Sequence, residues 1–184
     1  MPAVTRYHPL HAALHWLMAA LIIASLALGA LKMAPLANAD PMKLEALRAH
    51  MAGGVAILVL LLARIVTRMR ARRPPPADTG QPLLDRIRPV AHGLLYVLIL
   101  GMTLSGLTMA FQAGLFPIVY VGHGRLPASL WVYPVRSVHF WISRALMALI
   151  ALHLAAVTYH LIFVRDRLLS RMSFGRRSAT AAKA

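Results

Sequence analysis

The sequence predicts an all-α integral membrane protein, built as a four-helix transmembrane bundle. Two observations predict this class. Of the 184 residues, 59% are hydrophobic, which is more than in an ordinary soluble domain. The charged residues are also clustered, and they leave four apolar runs near the roughly 20 residues that a spanning helix needs. Such a bundle uses nearly the whole chain, so residues 1–184 are predicted to form a single domain.

The predicted spans are about 12–33, 49–67, 90–111 and 138–163. The first is longer than the core of a signal peptide, so we expect it to be retained. The second has the shortest uncharged stretch, between Arg48 and Arg64, but arginine side chains can extend outward to the interface and lengthen the usable span. The third begins after Arg88, and only Arg144 interrupts the fourth.

The positive charges predict the orientation of the bundle. Fourteen Lys and Arg residues lie on the side of the N-terminus, the Pro-rich loop 70–82 and the C-terminal tail, against five on the other side. The side richer in Lys and Arg stays in the cytoplasm. Both termini are therefore predicted to be cytoplasmic. The net charge of +15 does not predict a nucleic-acid partner, because the basic residues flank apolar runs instead of forming one basic face.

The composition also excludes several kinds of site. The chain has no cysteine and only five acidic residues. Without cysteine there are no disulfides, no iron–sulfur clusters and no covalent attachment of haem through a C-x-x-C-H motif. Any bound metal must therefore be held by histidine or carboxylate, and catalysis by paired carboxylates is disfavoured.

Histidines lie near both ends of the predicted spans. His139 and His153 are fourteen residues apart, so they are separated by about 21 Å along one helix and share nearly one face. The predicted topology places His50 at the depth of His139, near the outer face, and His15 at the depth of His153, near the cytoplasmic face. We call His50 and His139 the outer pair, and His15 and His153 the inner pair.

Two neutral imidazoles on facing helices can bind one iron from opposite sides, and a haem presents such an iron within an apolar ring. Two pairs at two depths favour two stacked haems, with Leu146 between them. Gly54, one turn from His50, would let a porphyrin approach the backbone. A proton relay and a zinc path are alternatives that the spacing leaves open, although the few carboxylates weigh against both. His11, one turn before His15 on the same face, is an alternative ligand or a pocket residue, although an interfacial position is favoured.

Four segments together resemble the bacterial cytochrome b561 family, four-helix membrane proteins that bind two non-covalent b haems. They are RYHPLHAALHWLMAALII, HMAGGVAILVLLLARIVTR, AHGLLYVLILGMTLSGLTM and HFWISRALMALIALHLAAVTYH with the tail RDRLLSRM. The resemblance implies a multi-pass protein of the bacterial inner membrane. It implies four axial haem ligands, the same four that depth selects: His15, His50, His139 and His153. Arg144 and the outer loop 112–136 depart from the family pattern.

Other polar residues are candidates for secondary roles. Arg48 and Arg136 at the outer face and Arg64 at the inner face are expected to bind haem propionates, unless their charges only set the topology. His160 and His92 are expected to form a quinone site, because an imidazole can bond to a quinone carbonyl and exchange its proton. The alternative for both is an interfacial histidine bonded to water or lipid headgroups.

Two haems near opposite faces would form an electron path between the membrane quinone pool and a partner outside. The resemblance implies one reaction in particular, the oxidation of superoxide to O₂ with transfer of electrons to ubiquinone. A positive outer surface favours it modestly, because it attracts an anion. One alternative is a haem b anchor subunit, which passes electrons between a hydrogenase or dehydrogenase partner protein and quinone. A second is a haem-free transporter of metal or protons.

Overall fold

The computed structural model describes residues 5–72, 74–75, 82–165 and 169–174. It contains four long helices: α1 (Pro9–Ala27), α2 (Pro41–Arg70), α3 (Pro82–Gln112) and α4 (Pro134–Tyr159). π-helical segments extend α1 over Leu28–Met33 and α4 over His160–Val164. All four are long and apolar enough to span a bilayer, and the described residues contain no strand. The predicted all-α membrane bundle is therefore confirmed.

Each long helix begins with a proline, at a position where the missing N–H forfeits no helical hydrogen bond. The His8 Nδ1 accepts from the Leu10 N–H at 3.2 Å, and the Asp40 Oδ1 accepts from the Met42 N–H at 2.8 Å. These side chains cap α1 and α2. Helices α2 and α3 start well before the predicted second and third spans, because the apolar pattern marks where a membrane begins and not where a helix begins.

The helices pack in chain order, α1 on α2, α2 on α3 and α3 on α4. One core cluster joins all four: Met18, Ile22, Ile57, Leu61, Ile99 and Leu146. A second cluster lies under the loops between α3 and α4: Leu47, Met109, Ala110, Leu115, Val119 and Leu130. Within the described residues, the close contacts of α4 are made mainly with α3. Helices α1 and α2 therefore face α4 chiefly through side chains, and among these are the predicted histidine pairs.

Hydrogen bonds link the connections at the end of the bundle where α1 begins. The Tyr7 N–H donates to the Arg171 carbonyl at 3.0 Å, and the Trp16 Nε1–H donates to the Met172 carbonyl at 2.9 Å. Arg171 in turn donates to the carbonyl of Pro75 at 2.7 Å. The N-terminal stretch, the loop after α2 and the tail after α4 thus lie together, as four antiparallel spans require.

The opposite end is closed by side chains that donate to loop carbonyls. Asn38 Nδ2 donates to the carbonyl of Pro127 at 2.8 Å. Lys43 is buried, and its Nζ donates to two carbonyls that follow α1, those of Met33 and Leu36. These bonds satisfy backbone oxygens that the helix end leaves unpaired.

The orientation of this bundle across a membrane stays a prediction. Five of the basic residues in the charge comparison lie outside the described residues: Arg73, Arg167, Arg176, Arg177 and Lys183. The assignment of residues 1–184 to one domain likewise stays a prediction.

Candidate functional site

The structure brings the two rings of the outer pair together. The ring centres of His50, on α2, and His139, on α4, are 6.2 Å apart, and the ring planes are 77° apart. Two metal–nitrogen bonds of about 2 Å, plus the distance from each nitrogen to its own ring centre, place two axial imidazoles roughly 6 Å apart. The outer pair therefore has the separation that a shared iron requires.

A hydroxyl on α3 orients one ring of the outer pair. Ser105 Oγ lies 3.0 Å from Nδ1 of His139, and it donates its own proton to the carbonyl of Met102 at 3.0 Å. With its proton directed to that carbonyl, the hydroxyl oxygen faces Nδ1 of His139 as an acceptor, and the Met102 carbonyl is a second acceptor within hydrogen-bonding range of His139. The lone pair of the imidazole is then on Nε2, which is the form that binds a metal.

Two glycines bring neighbouring helices against the same rings. A Cβ at Gly106, on α3, would lie 3.1 Å from Cε1 of His139. A Cβ at Gly29, in the π-helical extension of α1, would lie 3.5 Å from Cε1 of His50. The absent side chain of Gly106 lets α3 approach the ring of His139 closely, whereas at Gly29 an added Cβ would make an ordinary van der Waals contact with His50. At Gly54 an added Cβ would meet nothing within 4 Å, so the space beside that turn of α2 is open.

The outer pair thus fits a haem held by two imidazoles. The ring separation, the tautomer of His139 and the close approach of two helices all agree with such a site. Among the described residues, no group of three or more histidine or acidic side chains is placed to hold a metal ion. The histidine rings instead meet in pairs.

The inner pair is arranged differently. The ring of His153 packs edge-on against that of His92, with centres 5.5 Å apart and planes at 89°. Arg64 Nη1 lies 2.7 Å from Nδ1 of His15. A guanidinium can only donate, so the Nδ1 of His15 accepts, and the proton of a neutral His15 is on Nε2. This arrangement places Arg64 against His15 and His92 against His153, while the two predicted inner ligands stay close enough to interact electrostatically with each other.

Further histidines surround His15. Three of them lie close enough to interact electrostatically with it: His11, His92 and His153. His11 is buried and stacks on Tyr7, with ring centres 5.3 Å apart. The inner end of the bundle therefore contains more imidazoles than one iron can bind.

Two of the predicted propionate partners lie at the outer end. The guanidinium of Arg136 is 4.3 Å from the ring centre of Trp131, and it is close enough to interact electrostatically with both rings of the outer pair. Arg48 forms a salt bridge with Glu45 at 2.9 Å and donates twice to the carbonyl of Val119, at 3.0 and 2.8 Å. Arg48 therefore anchors the outer loop, whereas Arg136 places a positive charge near the histidines.

Two arginines within the spans are matched to aromatic rings. Arg64 is buried and lies 5.6 Å from the ring centre of Tyr96. Arg144, the departure from the family pattern, is exposed, and its guanidinium lies 4.8 Å from the ring centre of Phe140. A cation over an aromatic face is stabilised by the charge distribution of the ring. Arg64 is thus tied to the inner pair, and Arg144 covers the outside of α4.

A cleft of about 340 Å³ opens between α2 and α3 beside the inner pair. Its lining is Ile65, Arg68, Met69, Pro89, His92, Gly93 and Tyr96. The Nδ1–H of His92 donates to the carbonyl of Arg88 at 2.7 Å, which leaves Nε2 as the acceptor of that ring. Of the two histidines predicted for a quinone site, His92 lines this cleft. His160 is not among the described residues that line it; its ring lies 5.9 Å from that of Tyr159.

The contacts that Ser105, Gly106 and Gly29 make with the outer pair were not predicted from the sequence. A signal was present, because Ser105 and Gly106 are adjacent small residues in the third span, at the predicted depth of the outer pair. Small residues in an apolar helix often mark a close approach of another element. Their contact with His139 depends on how α3 rotates against α4, which the sequence does not display.

Comparison with known proteins agrees with this architecture. Residues 6–175 match the family described as prokaryotic cytochrome b561. The chain is 27% identical over 172 residues to "Cytochrome b561 homolog 2" of Escherichia coli (strain K12), across 91% of this chain and 90% of that protein. It is 25% identical over 171 residues to "Probable superoxide oxidase CybB" of Yersinia pestis, across 91% and 95% of the two chains. Since the family match covers almost the whole four-helix membrane bundle, the chain belongs to the prokaryotic cytochrome b561 family, membrane proteins that bind haem b and transfer electrons.

Proposed function

We propose that this chain binds two b haems, one at the outer pair and one at the inner pair, and passes electrons from superoxide outside to ubiquinone in the membrane. The geometry of His50 and His139 is the observation that carries the proposal, because 6.2 Å between ring centres suits two ligands of one iron. The Yersinia pestis relative is named a probable superoxide oxidase, which supports the choice of substrate.

In the proposed reaction, two superoxide anions each give up one electron and become two molecules of O₂. One ubiquinone takes up the two electrons together with two protons and becomes ubiquinol. When bound, haem b supplies a one-electron redox centre whose potential the protein tunes. Binding, orientation and proton exchange are the tasks of the chain's own residues.

At the outer end, the chain provides the iron ligands and positive charge. His50 and His139 would hold the haem, with His139 oriented by Ser105. The charge of Arg136 lies close to both rings, where it attracts an anionic substrate and is available to a propionate. Arg48 has the second of these roles only if it leaves Glu45 and the loop carbonyl.

At the inner end, we assign the second haem to His15 and His153, with Arg64 as a propionate partner. Arg64 would have to leave Nδ1 of His15 for the propionate, so that His15 carries its proton on Nδ1 and has Nε2 free for the iron. The quinone is assigned to the side of His92 and His160. His92 lines the cleft between α2 and α3, and its Nε2 can take up a proton and pass it to the quinone as the quinone is reduced to quinol. Because this ring also touches His153, a quinone in the cleft would lie next to the inner pair.

The bilayer is the remaining partner. Large apolar side chains on all four helices are about half exposed or more in the isolated chain: Leu17, Val59, Val97 and Leu152. Such surfaces are stable when lipid covers them. We propose that the bundle lies in the bacterial inner membrane with both termini in the cytoplasm, as the charge distribution predicts.

The first test is the haem content of the purified protein, measured by a dithionite-reduced spectrum and by haem extraction. We expect two haems per chain. His50→Ala should lose one and His153→Ala the other, whereas His123→Ala, which alters an exposed loop histidine, should keep both. A protein without haem, or a His50→Ala variant that keeps both haems, would contradict the proposal.

The second test is the reaction itself. Superoxide supplied to the haem-loaded protein with ubiquinone should produce ubiquinol, and added superoxide dismutase should suppress this by competing for the substrate. A haem-loaded protein that forms no ubiquinol under these conditions would favour the anchor-subunit alternative. Co-purification of a hydrogenase or dehydrogenase from native membranes would then identify the partner.

A further inference from the structure

We propose that the Ser105 hydroxyl is the positioning group of the outer haem site. It holds His139 with Nε2 free to bind the iron, strengthens that ring as a ligand, and lowers the reduction potential of the outer haem. This inference rests on the proposed function, in which His139 is an axial ligand.

The contact is built into the packing between α3 and α4. Ser105 is 7% exposed, so a water molecule does not readily replace its hydroxyl. The single proton of that hydroxyl goes to the carbonyl of Met102, one turn earlier on α3, at 3.0 Å. The oxygen is thereby left facing Nδ1 of His139 at 3.0 Å as an acceptor. The serine is therefore held by its own helix in the orientation that selects one tautomer of the histidine.

Rotation of the same ring is restricted by the next residue. A Cβ at Gly106 would lie 3.1 Å from Cε1 and 3.5 Å from Nδ1 of His139, so the ring rests against the backbone of α3. Ser105 bonds to one edge of the imidazole, and Gly106 supports it at the same height. These adjacent residues together hold Nδ1 of His139 toward α3 and leave Nε2 as the nitrogen available to the iron.

The electronic effect follows from the direction of the hydrogen bond. When Nδ1–H donates to an acceptor, electron density on the ring increases and Nε2 becomes a stronger donor to the metal. A stronger donor stabilises the more positive, oxidised iron, and the reduction potential falls. A hydroxyl is a neutral acceptor, so the expected shift is moderate.

The inner pair lacks this arrangement in the part of the chain that the structure describes. Nδ1 of His15 faces the guanidinium of Arg64, which can only donate. His153 packs against His92. Removal of the Ser105 hydroxyl should therefore affect one of the two redox centres and leave the other unchanged.

The test is an optical redox titration of the haem-loaded protein carrying Ser105→Ala. We expect both haems to remain and one of the two redox components to shift upward. At a fixed ambient potential, its ratio of oxidised to reduced haem should fall roughly 3- to 10-fold, which corresponds to about 30–60 mV for one electron. The component that shifts is assigned to the outer haem if it is the one missing from His50→Ala. The low-spin EPR signal of that haem, which reports the relative orientation of the axial ring planes, should change with it.

Two further variants separate the hydroxyl from the helix. Ser105→Thr keeps a hydroxyl and should restore the original potential. Thr103→Val removes a hydroxyl of the same helix that donates to the carbonyls of Ile99 and Leu100, at 3.1 and 3.0 Å, and it should leave both components unchanged.

The outcomes also separate this inference from the proposed function. Loss of the outer haem from Ser105→Ala, with retention in Ser105→Thr, would support the positioning role. Two haems with unchanged potentials in Ser105→Ala would overturn the role of the hydroxyl alone, as would an equal shift in Thr103→Val or loss of haem from both Ser105 variants. Retention of both haems by His50→Ala would instead refute the proposed function itself.

Discussion

The outer and inner pairs each combine one histidine of α4 with a histidine of another helix, yet within the described residues it is the rings of the outer pair that contact each other. At the outer pair the ring centres are 6.2 Å apart, and Ser105 holds Nδ1 of His139. At the inner pair, Arg64 occupies Nδ1 of His15, and His153 contacts His92 instead. Two pairs of the same ligand residues therefore form different kinds of site, because the residues that the neighbouring helices place beside them differ.

The surroundings of the two pairs explain the contrast. The second core cluster covers the outer end, together with loops to which Arg48 and Asn38 donate hydrogen bonds. The inner end contains a buried arginine, further histidines and an open cleft of about 340 Å³. A packed site beneath anchored loops is suited to hold one group rigidly. A site with a cation and a cleft is suited to exchange electrons and protons with a mobile molecule.

We expect the largest effect from removing one histidine of the outer pair. His139→Ala should remove the outer haem and reduce superoxide-dependent formation of ubiquinol by at least about 100-fold, since even partners that only support a metal ligand are worth 10- to 100-fold. Haem per chain and the initial rate of ubiquinol formation measure the two effects. The inner haem should remain, and a variant with an unchanged rate would show that electrons do not enter through the outer pair.

The next prediction concerns the axial partner of His153. His15→Ala should lose the inner haem, whereas His92→Ala should keep both haems and slow only the reduction of quinone. The reason is that His15 and His153 share the predicted depth, while His92 lines the cleft. Haem quantification in the two variants decides the matter. The opposite pattern, with haem lost from His92→Ala alone, would make the ring contact between His92 and His153 the ligand pair.

Much of the difference between the outer and inner pairs could not be predicted from the sequence. The four helices could be predicted because the length of an apolar run is a local property. The common face of His139 and His153 follows from helical rise and rotation alone. The bond from His139 to Ser105 and the contact of His153 with His92 depend on the rotation of α3 against α4, which is set by packing over the whole bundle. The early start of α2 was readable in the sequence, as Asp40 before a proline, but it lies outside the apolar run.

A smaller effect should follow from filling the close approach beside the outer pair. Gly106→Ala places a Cβ 3.1 Å from the ring of His139, and overpacking of this kind costs about 1–3 kcal/mol. We expect the outer haem to transfer to a haem-scavenging protein roughly tenfold faster, since 1.4 kcal/mol is a factor of ten, and the inner haem to transfer at the original rate. Gly101→Ala is the matched control, because its Cβ would meet Ile142 of α4 at 3.3 Å instead of the ring of His139. Equal loss from both variants would show that crowding between α3 and α4, and not the contact with His139, is what matters.

The smallest expected effect concerns the charge at the inner pair. Arg64→Gln keeps a hydrogen-bond donor at this position but removes a buried positive charge. A nearby positive charge stabilises the reduced state of a redox centre, because that state carries one more electron. We expect the reduction potential of the inner component to fall by about 30–60 mV, which corresponds to a roughly 3- to 10-fold rise in its ratio of oxidised to reduced haem at a fixed ambient potential. An optical redox titration of the haem-loaded protein measures this shift. Arg64→Lys should restore most of the potential, and Arg144→Gln, which removes an exposed arginine over Phe140, should change neither component. A shift of the outer component as large as that of the inner one would mean that the two sites are not electrostatically distinct, and the contrast between them would then rest on the geometry of Ser105 and His139 alone.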